Sequence, residues 1–84
     1  MKWLEVIKLQ ATTDCSTLLT AVIQSGLTNI KAYRHAVLKD DFCVILCWDS
    51  EQVEKNGSIH GLRLVQALRE YGLIDHSIWI GEWK

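Results

Sequence analysis

Two cysteines stand four residues apart in the apolar stretch FCVILCWD, which runs from Phe42 to Asp49. Such a pair could bind a soft metal ion or form a redox couple if the two thiols met. A four-residue offset brings Cβ atoms to about 5 to 6 Å on a helix, but separates residues on a strand by roughly 13 Å. Because the run is apolar throughout and bounded by acidic residues, it predicts a strand. We therefore expect Cys43 and Cys47 to pack as small apolar side chains, with neither a metal ion nor another cofactor.

The three histidines are the remaining candidates for proton transfer. His35 falls inside a predicted strand that is apolar on both sides, so it needs a hydrogen-bond partner or a cavity. His60 falls in the first turn of a predicted helix and is a metal ligand, a general base or a solvent-exposed residue, although no His or Cys stands at metal-ligand spacing from it. His76 starts the last predicted strand. No Ser/His/Asp set, glycine-rich phosphate loop or paired carboxylate indicates another class of enzyme.

Size and charge narrow the classes of partner. A chain of 84 residues is predicted to form one domain over 1–84. Nine basic and ten acidic residues give a net charge of −1 without a basic run, which argues against nucleic acid as a partner. Glu5 and Lys8 interrupt the apolar N-terminal stretch, so we expect neither a signal peptide nor a membrane span. An odd number of cysteines, three, is typical of reduced thiols and predicts a cytoplasmic protein.

Hydrophobic periodicity and capping residues predict the elements that position these side chains. The predicted strands are Lys2–Gln10, Ile30–Leu38, Phe42–Asp49 and His76–Trp83, and the predicted helices are Thr13–Gly26, with Cys15 on its core face, and Ile59–Tyr71. With right-handed crossovers this order gives an α+β protein, a ferredoxin-like βαββαβ sandwich whose four-stranded antiparallel sheet carries both helices on one face. Gly61, inside the second helix at a cost in helix propensity, indicates close approach of another part of the chain.

The predicted strands have too many apolar residues for a sheet with one face in water. In the first strand Leu4 and Val6 point one way, while Trp3, Ile7 and other residues point the opposite way. Two helices cover only one face, so something must cover the other, and a second copy packed face to face would do so. We predict a homodimer through the uncovered face. The four tryptophans, at positions 3, 48, 79 and 83, are expected in dimer packing or as a ligand platform.

The segment CWDSEQVEKNGSIHGLRLVQAL, from Cys47 to Leu68, resembles the antibiotic biosynthesis monooxygenase-like group of the dimeric α/β-barrel superfamily. In that group a strand ending in an aromatic residue is followed by an acidic turn and a small-x-His element that opens the last helix. Ser58, Ile59 and His60 occupy that position here. The resemblance covers nearly the whole chain and implies a ferredoxin-like protomer that pairs into a dimeric α/β barrel.

The resemblance also implies a pocket enclosed by the two sheets. Several members of the group oxidise aromatic substrates or haem there without a separate redox cofactor. Polar residues facing the pocket would bind the substrate and take part in its oxidation. In this chain they would be Glu5, Trp79 and either Arg34 or His35. Strand alternation sends Arg34 and His35 to opposite sides, which makes them alternatives.

Three functions follow as hypotheses. The first is a homodimer that binds a small apolar or aromatic molecule between its sheets, through Glu5, Arg34 and Trp79. The second is a cofactor-independent monooxygenase in which Trp79 orients the substrate and a histidine, His35 or His60, transfers a proton. The third is a structural or regulatory dimerisation module with a barrel filled by its own side chains.

Overall fold

The computed structural model describes residues 1–14, 17, 20, 22, 29–38 and 40–81. Its elements are the strands β1 (Lys2–Ala11), β2 (Ile30–Arg34), β3 (Asp41–Asp49) and β4 (Gly72–Ile80), and the helix α1 (Ile59–Leu68), which continues as a 3₁₀ turn over Arg69–Tyr71. The helical segments in the described ranges are all too short or too polar to span a lipid bilayer.

The four strands form one sheet in the order β2-β3-β1-β4, and every neighbouring pair is antiparallel. β1 lies between β3 and β4 over almost its whole length, with Glu5 opposite Leu46 on one side and Ile78 on the other. This confirms the predicted α+β class and the four-stranded antiparallel sheet. It also confirms that Cys43 and Cys47 lie on a strand, four residues apart.

Three strand boundaries were predicted wrongly by three or more residues, and one of them is the end of β4, which lies at Ile80 instead of Trp83. β2 ends at Arg34 instead of Leu38, because the chain turns at His35. The His35 ring organises that turn, since its Nδ1 accepts hydrogen bonds from the backbone N–H groups of Val37 and Leu38, each at 3.0 Å. β4 begins at Gly72 instead of His76, immediately after the 3₁₀ turn.

Gly72 explains the early start of β4. Glycine after a helix is typical of a C-terminal cap, which is why the sequence predicted a terminator and a loop at this position. In the structure Gly72 is extended and pairs with Ala11, and a Cβ atom at Gly72 would overlap the carbonyl oxygen of Gln10. Because glycine has no side chain, β4 can pair with β1 directly from Gly72. β4 therefore includes Leu73, Ile74 and Asp75, which the prediction had placed before the strand.

The predicted first helix, Thr13–Gly26, lies mostly outside the described residues, as do its Cys15 and the C-terminal Trp83. Thr17, Thr20 and Val22, which are described, are helical.

The core lies between the sheet and α1. Burial alternates along β1, where every second side chain from Trp3 to Ala11 is buried. This confirms the predicted division of β1 into a face with Trp3 and Ile7 and a face with Leu4 and Val6. The buried apolar cluster consists of Ile7, Leu9, Ala11, Val44, Val65 and Leu68.

Candidate functional site

The sheet has a second face, turned away from α1, which we call the open face. Strand register assigns its side chains: those in register with Leu4 and Val6 point away from the helix. The open face comprises Lys2, Leu4, Val6, Lys8 and Gln10 of β1, Lys31 and Tyr33 of β2, Asp41, Cys43, Ile45, Cys47 and Asp49 of β3, and Leu73, Asp75, Ser77 and Trp79 of β4. Four of its large apolar or aromatic side chains are exposed to solvent, namely Leu4, Tyr33, Leu73 and Trp79.

One depression on the open face, the β1–β4 depression, has a volume of about 740 Å³. It is lined by Lys2, Trp3, Leu4, Val6, Lys8, Trp79, Ile80 and Gly81. Trp79 is 59% exposed, and its Nε1–H donates to the Ser77 hydroxyl at 2.8 Å. Because that bond uses the only donor of the indole, the ring is held in place and offers an apolar surface to the depression.

A second depression, of about 490 Å³, lies at the β2–β3 end of the sheet, and we call it the hairpin depression. Most of its lining belongs to the open face, and Lys8 lines both depressions. The residues around the hairpin depression are Lys8, Leu9, Gln10, Tyr33, Arg34, His35, Asp41, Phe42, Cys43, Leu73, Ile74 and Asp75. The mixture of charges makes it more polar in character than the β1–β4 depression.

Arg34 and His35, which were predicted to be alternatives in a pocket between two sheets, both line the hairpin depression. That prediction assumed strand alternation through His35, and β2 ends one residue earlier. An accepting Nδ1 requires the proton of the neutral His35 imidazole to lie on Nε2. His35 therefore presents a hydrogen-bond donor, and it cannot take a proton at Nδ1 without losing both backbone hydrogen bonds.

Glu5 lies on the opposite side of the sheet from Trp79, under α1, and is completely buried. Its Oε1 accepts a hydrogen bond from Trp48 Nε1 at 2.9 Å, and its Oε2 lies 2.9 Å from His76 Nε2. The structure thus separates the two sequence candidates Glu5 and Trp79, and it places the Glu5 carboxyl group in neither of the two depressions. Glu5, Trp48 and His76 form what we call the buried polar cluster.

The buried polar cluster also fixes the start of α1. Ser58 caps the helix, its hydroxyl accepting from Gly61 N at 3.0 Å, but the first turn of α1 contains no acidic residue. A Cβ atom at Gly61 would overlap the Glu5 carboxyl group, so the helix backbone lies directly against it. The Glu5 carboxyl group of β1 therefore lies beside the N-terminus of α1, where carboxyl oxygens interact favourably with the helix dipole, and the close approach predicted from Gly61 is confirmed.

An aromatic stack leads from the cluster to the surface. The rings of Trp3 and Trp48 stack with centroids 5.8 Å apart, and His60 stacks on Trp48 at 6.1 Å. Trp3 Nε1 donates to the Ser50 hydroxyl at 2.9 Å. His60 is exposed on the helix side of the sheet and lines neither of the two depressions.

His76 is the residue of the buried polar cluster that sequence reasoning missed. It was assigned to a strand start, whereas it lies in the middle of β4, half-buried and hydrogen-bonded to Glu5. A signal was present in the alternation Ile74, His76, Ile78, which places His76 on an otherwise apolar face. A histidine on such a face requires a polar partner. Glu5 of the neighbouring strand β1 lies on the same face of the sheet and supplies the carboxyl group.

Cys43 and Cys47 are free thiols on the open face. Burial raises the pKa of the Cys43 thiol above its ordinary value, and the positive charge of Lys8 opposes that effect without reversing it. Cys43 is opposite Lys8 in the β1–β3 register. The thiol therefore stays protonated near neutral pH. The two cysteines were expected in the core, but both are only partly buried and lie on the open face, outside the core cluster.

No family model, curated protein or solved structure matches this chain. Its function is therefore inferred from the open face and from the buried polar cluster behind it.

Proposed function

We propose that this chain is a ferredoxin-like protomer that pairs with a second copy through the open face and binds a small apolar or aromatic molecule between the two sheets. The observation that carries the proposal is the β1–β4 depression, whose volume of about 740 Å³ lies within the range of small-molecule sites. Apolar side chains of Leu4, Val6 and Trp79 dominate its lining.

The strand order supports the ferredoxin-like part of the proposal. The order β2-β3-β1-β4, antiparallel throughout, is the one that two right-handed crossovers generate in a βαββαβ chain. In that arrangement α1 is the second crossover helix, joining β3 to β4, and it packs on the same side of the sheet as the buried polar cluster. The resemblance of the segment from Cys47 to Leu68 to the antibiotic biosynthesis monooxygenase-like group implies the same strand order.

The charges of the open face support pairing with a second copy. An interface across a twofold axis is self-complementary, so a patch that carries both signs suits it better than a patch with one sign. The open face carries three basic strand residues, Lys2, Lys8 and Lys31, and three acidic ones, Asp41, Asp49 and Asp75. Its exposed apolar side chains, including Trp79 and Leu73, would be removed from water in the pair.

Sedimentation equilibrium tests the pairing. We expect the wild-type chain to sediment at twice its monomer mass of 9.6 kDa at micromolar concentration. Ile45 lies on the open face, and Ile45→Asp should weaken pairing about a hundredfold or more, because it buries an unpaired carboxylate. Leu62→Asp is the matched control, since Leu62 is exposed on α1 and away from the open face. A wild-type chain that is purely monomeric would contradict the pairing.

A cofactor-independent monooxygenase is the second candidate, favoured by the exposed and fixed indole of Trp79 in the β1–β4 depression. Such an enzyme also needs a group that takes a proton from the substrate. His35 presents a donor instead, and His60 lies on the other side of the sheet. The geometry thus favours the binding protein over the enzyme.

Oxygen consumption separates these two candidates. With hydroquinone-type substrates in an oxygen electrode, we expect the wild-type chain to give the same rate as buffer, because neither depression supplies a free histidine base. Turnover above that rate, if abolished in Trp79→Ala and retained in the control Leu62→Ala, which lies on α1 and lines neither depression, would establish the monooxygenase in place of the binding protein.

A further inference from the structure

The charged residues that line the β1–β4 depression are both basic, Lys2 and Lys8. The ion pairs among the described residues join Met1 to Asp49 and His76 to Glu5, and neither includes these lysines. Both lysines are exposed, and the carboxylates opposite them in the strand register, Asp49 for Lys2 and Asp75 for Lys8, form no ion pair with them within the described ranges. The depression combines an apolar floor with unpaired positive charge, which would attract a negative group on a ligand.

Lys8 is the better placed of the two lysines. It lies well inside β1, with β3 on one side and β4 on the other, and it lines both depressions, whereas Lys2 is the first residue of the strand. Its charge is felt by the Cys43 thiol, where it opposes the rise in pKa that burial causes. Covering the open face with a second copy would remove Lys8 from water, so its ammonium group would then need an acidic partner, either on the second copy or on a bound ligand.

The indole of Trp79 indicates the chemistry of the part of the ligand that does not contact Lys8. Its ring is exposed, and its only donor is engaged with Ser77, so it offers a ligand an apolar and π surface with no free hydrogen-bonding group. Flat aromatic groups stack on such a surface. A ligand with an aromatic body and one negative group would therefore satisfy both Trp79 and Lys8.

We infer that the molecule bound between the sheets is an aromatic anion, whose ring packs on Trp79 and whose carboxylate or sulfonate group pairs with Lys8. This inference rests on the proposed function, because it names the class of ligand for the same pocket. Lys8 acts as the specificity-determining residue and Trp79 as the apolar platform.

A pair of fluorescent probes tests the inference. Anilinonaphthalene sulfonate is an aromatic anion, and phenylnaphthylamine has the same ring system without the sulfonate. We expect Lys8→Met to weaken binding of the sulfonate probe about tenfold, the usual effect of losing a charged hydrogen bond, and to leave the neutral probe unchanged. Lys8→Arg should restore sulfonate binding. Lys31→Met is the matched control, since Lys31 shares the open face but lines neither of the two depressions.

The outcomes separate the inference from the proposal on which it depends. If the neutral probe binds and Lys8→Met does not change the ratio of the two affinities, the inference is overturned while the binding function stands. The inference is overturned in the same way if Lys31→Met has the effect expected of Lys8→Met. If neither probe binds the wild-type chain, both are overturned, and the structural dimerisation module becomes the better explanation.

Discussion

Replacing Glu5 with alanine is expected to lower the free energy of unfolding by about 3 to 5 kcal/mol, the usual cost of breaking a buried charged or hydrogen-bonded pair. The substitution removes the acceptor of the Trp48 Nε1–H and leaves His76 Nε2 without its hydrogen-bond partner. It also opens a cavity beside the first turn of α1. Urea unfolding followed by far-ultraviolet circular dichroism measures the loss, because that signal reports mainly the backbone secondary structure.

Two further variants serve as comparisons for the stability of Glu5→Ala. Glu54→Ala removes an exposed carboxylate and should change the stability by no more than about 0.5 kcal/mol. Glu5→Gln keeps the size of the side chain and an acceptor for Trp48. Its loss of unfolding free energy should therefore lie between the losses of Glu54→Ala and Glu5→Ala. A Glu5→Ala variant as stable as Glu54→Ala would show that the buried polar cluster does not hold the fold together.

Gly61→Ala is expected to destabilise the protein by about 3 kcal/mol, at the upper end of the usual cost of overpacking a core. The sign is informative, because alanine in place of glycine inside a helix normally stabilises it by about 1 kcal/mol. Here the added methyl group would overlap the Glu5 carboxyl group, so either the helix or the carboxyl group must move. Both movements disturb the hydrogen bonds of the buried polar cluster.

The Gly61 result can be traced to Glu5 with a double-mutant cycle. Glu5→Ala removes the atoms that the new methyl group would meet, so the double variant should lose clearly less than the sum of the two single losses. Ala67→Gly, at an exposed position of α1, is the control for helix propensity and should cost about 1 kcal/mol. Additive losses in the cycle would mean that Gly61 matters for a reason other than its contact with Glu5.

The sequence predicted the elements that have strong local signals. β1 and β3 are long apolar runs, and α1 has a serine cap and a regular apolar stripe, so their types and approximate bounds were predicted correctly. The close approach of another part of the chain at Gly61 was also predicted correctly, because glycine inside a helix has few explanations other than close packing. The contacting residue, Glu5, was not identified, since it lies more than fifty positions away along the chain and is brought near only by the sheet.

The histidines show where local reasoning fails. His35 was expected to lie inside a strand and to need a polar partner there. Instead, its Nδ1 accepts two backbone hydrogen bonds in the turn after β2. His76 was expected at a strand boundary, but it holds the buried carboxyl group of Glu5. Both errors come from misplaced strand ends, because the end of a strand decides whether alternation applies. The face occupied by Glu5 likewise follows from pairing with β3 and β4, and a single strand does not reveal which of its faces the helix covers.

The buried polar cluster has a consequence for folding specificity. Side chains alternate along β1, so a slip of one residue against β3 and β4 would exchange its two faces. Lys8 would then enter the core, and Glu5 would lose both of its hydrogen-bond partners. An apolar residue at position 5 would penalise that slip far less, because Leu4 and Val6 beside it are apolar as well. Glu5 thus selects one register of the central strand, and with it decides which side chains the chain offers to a partner.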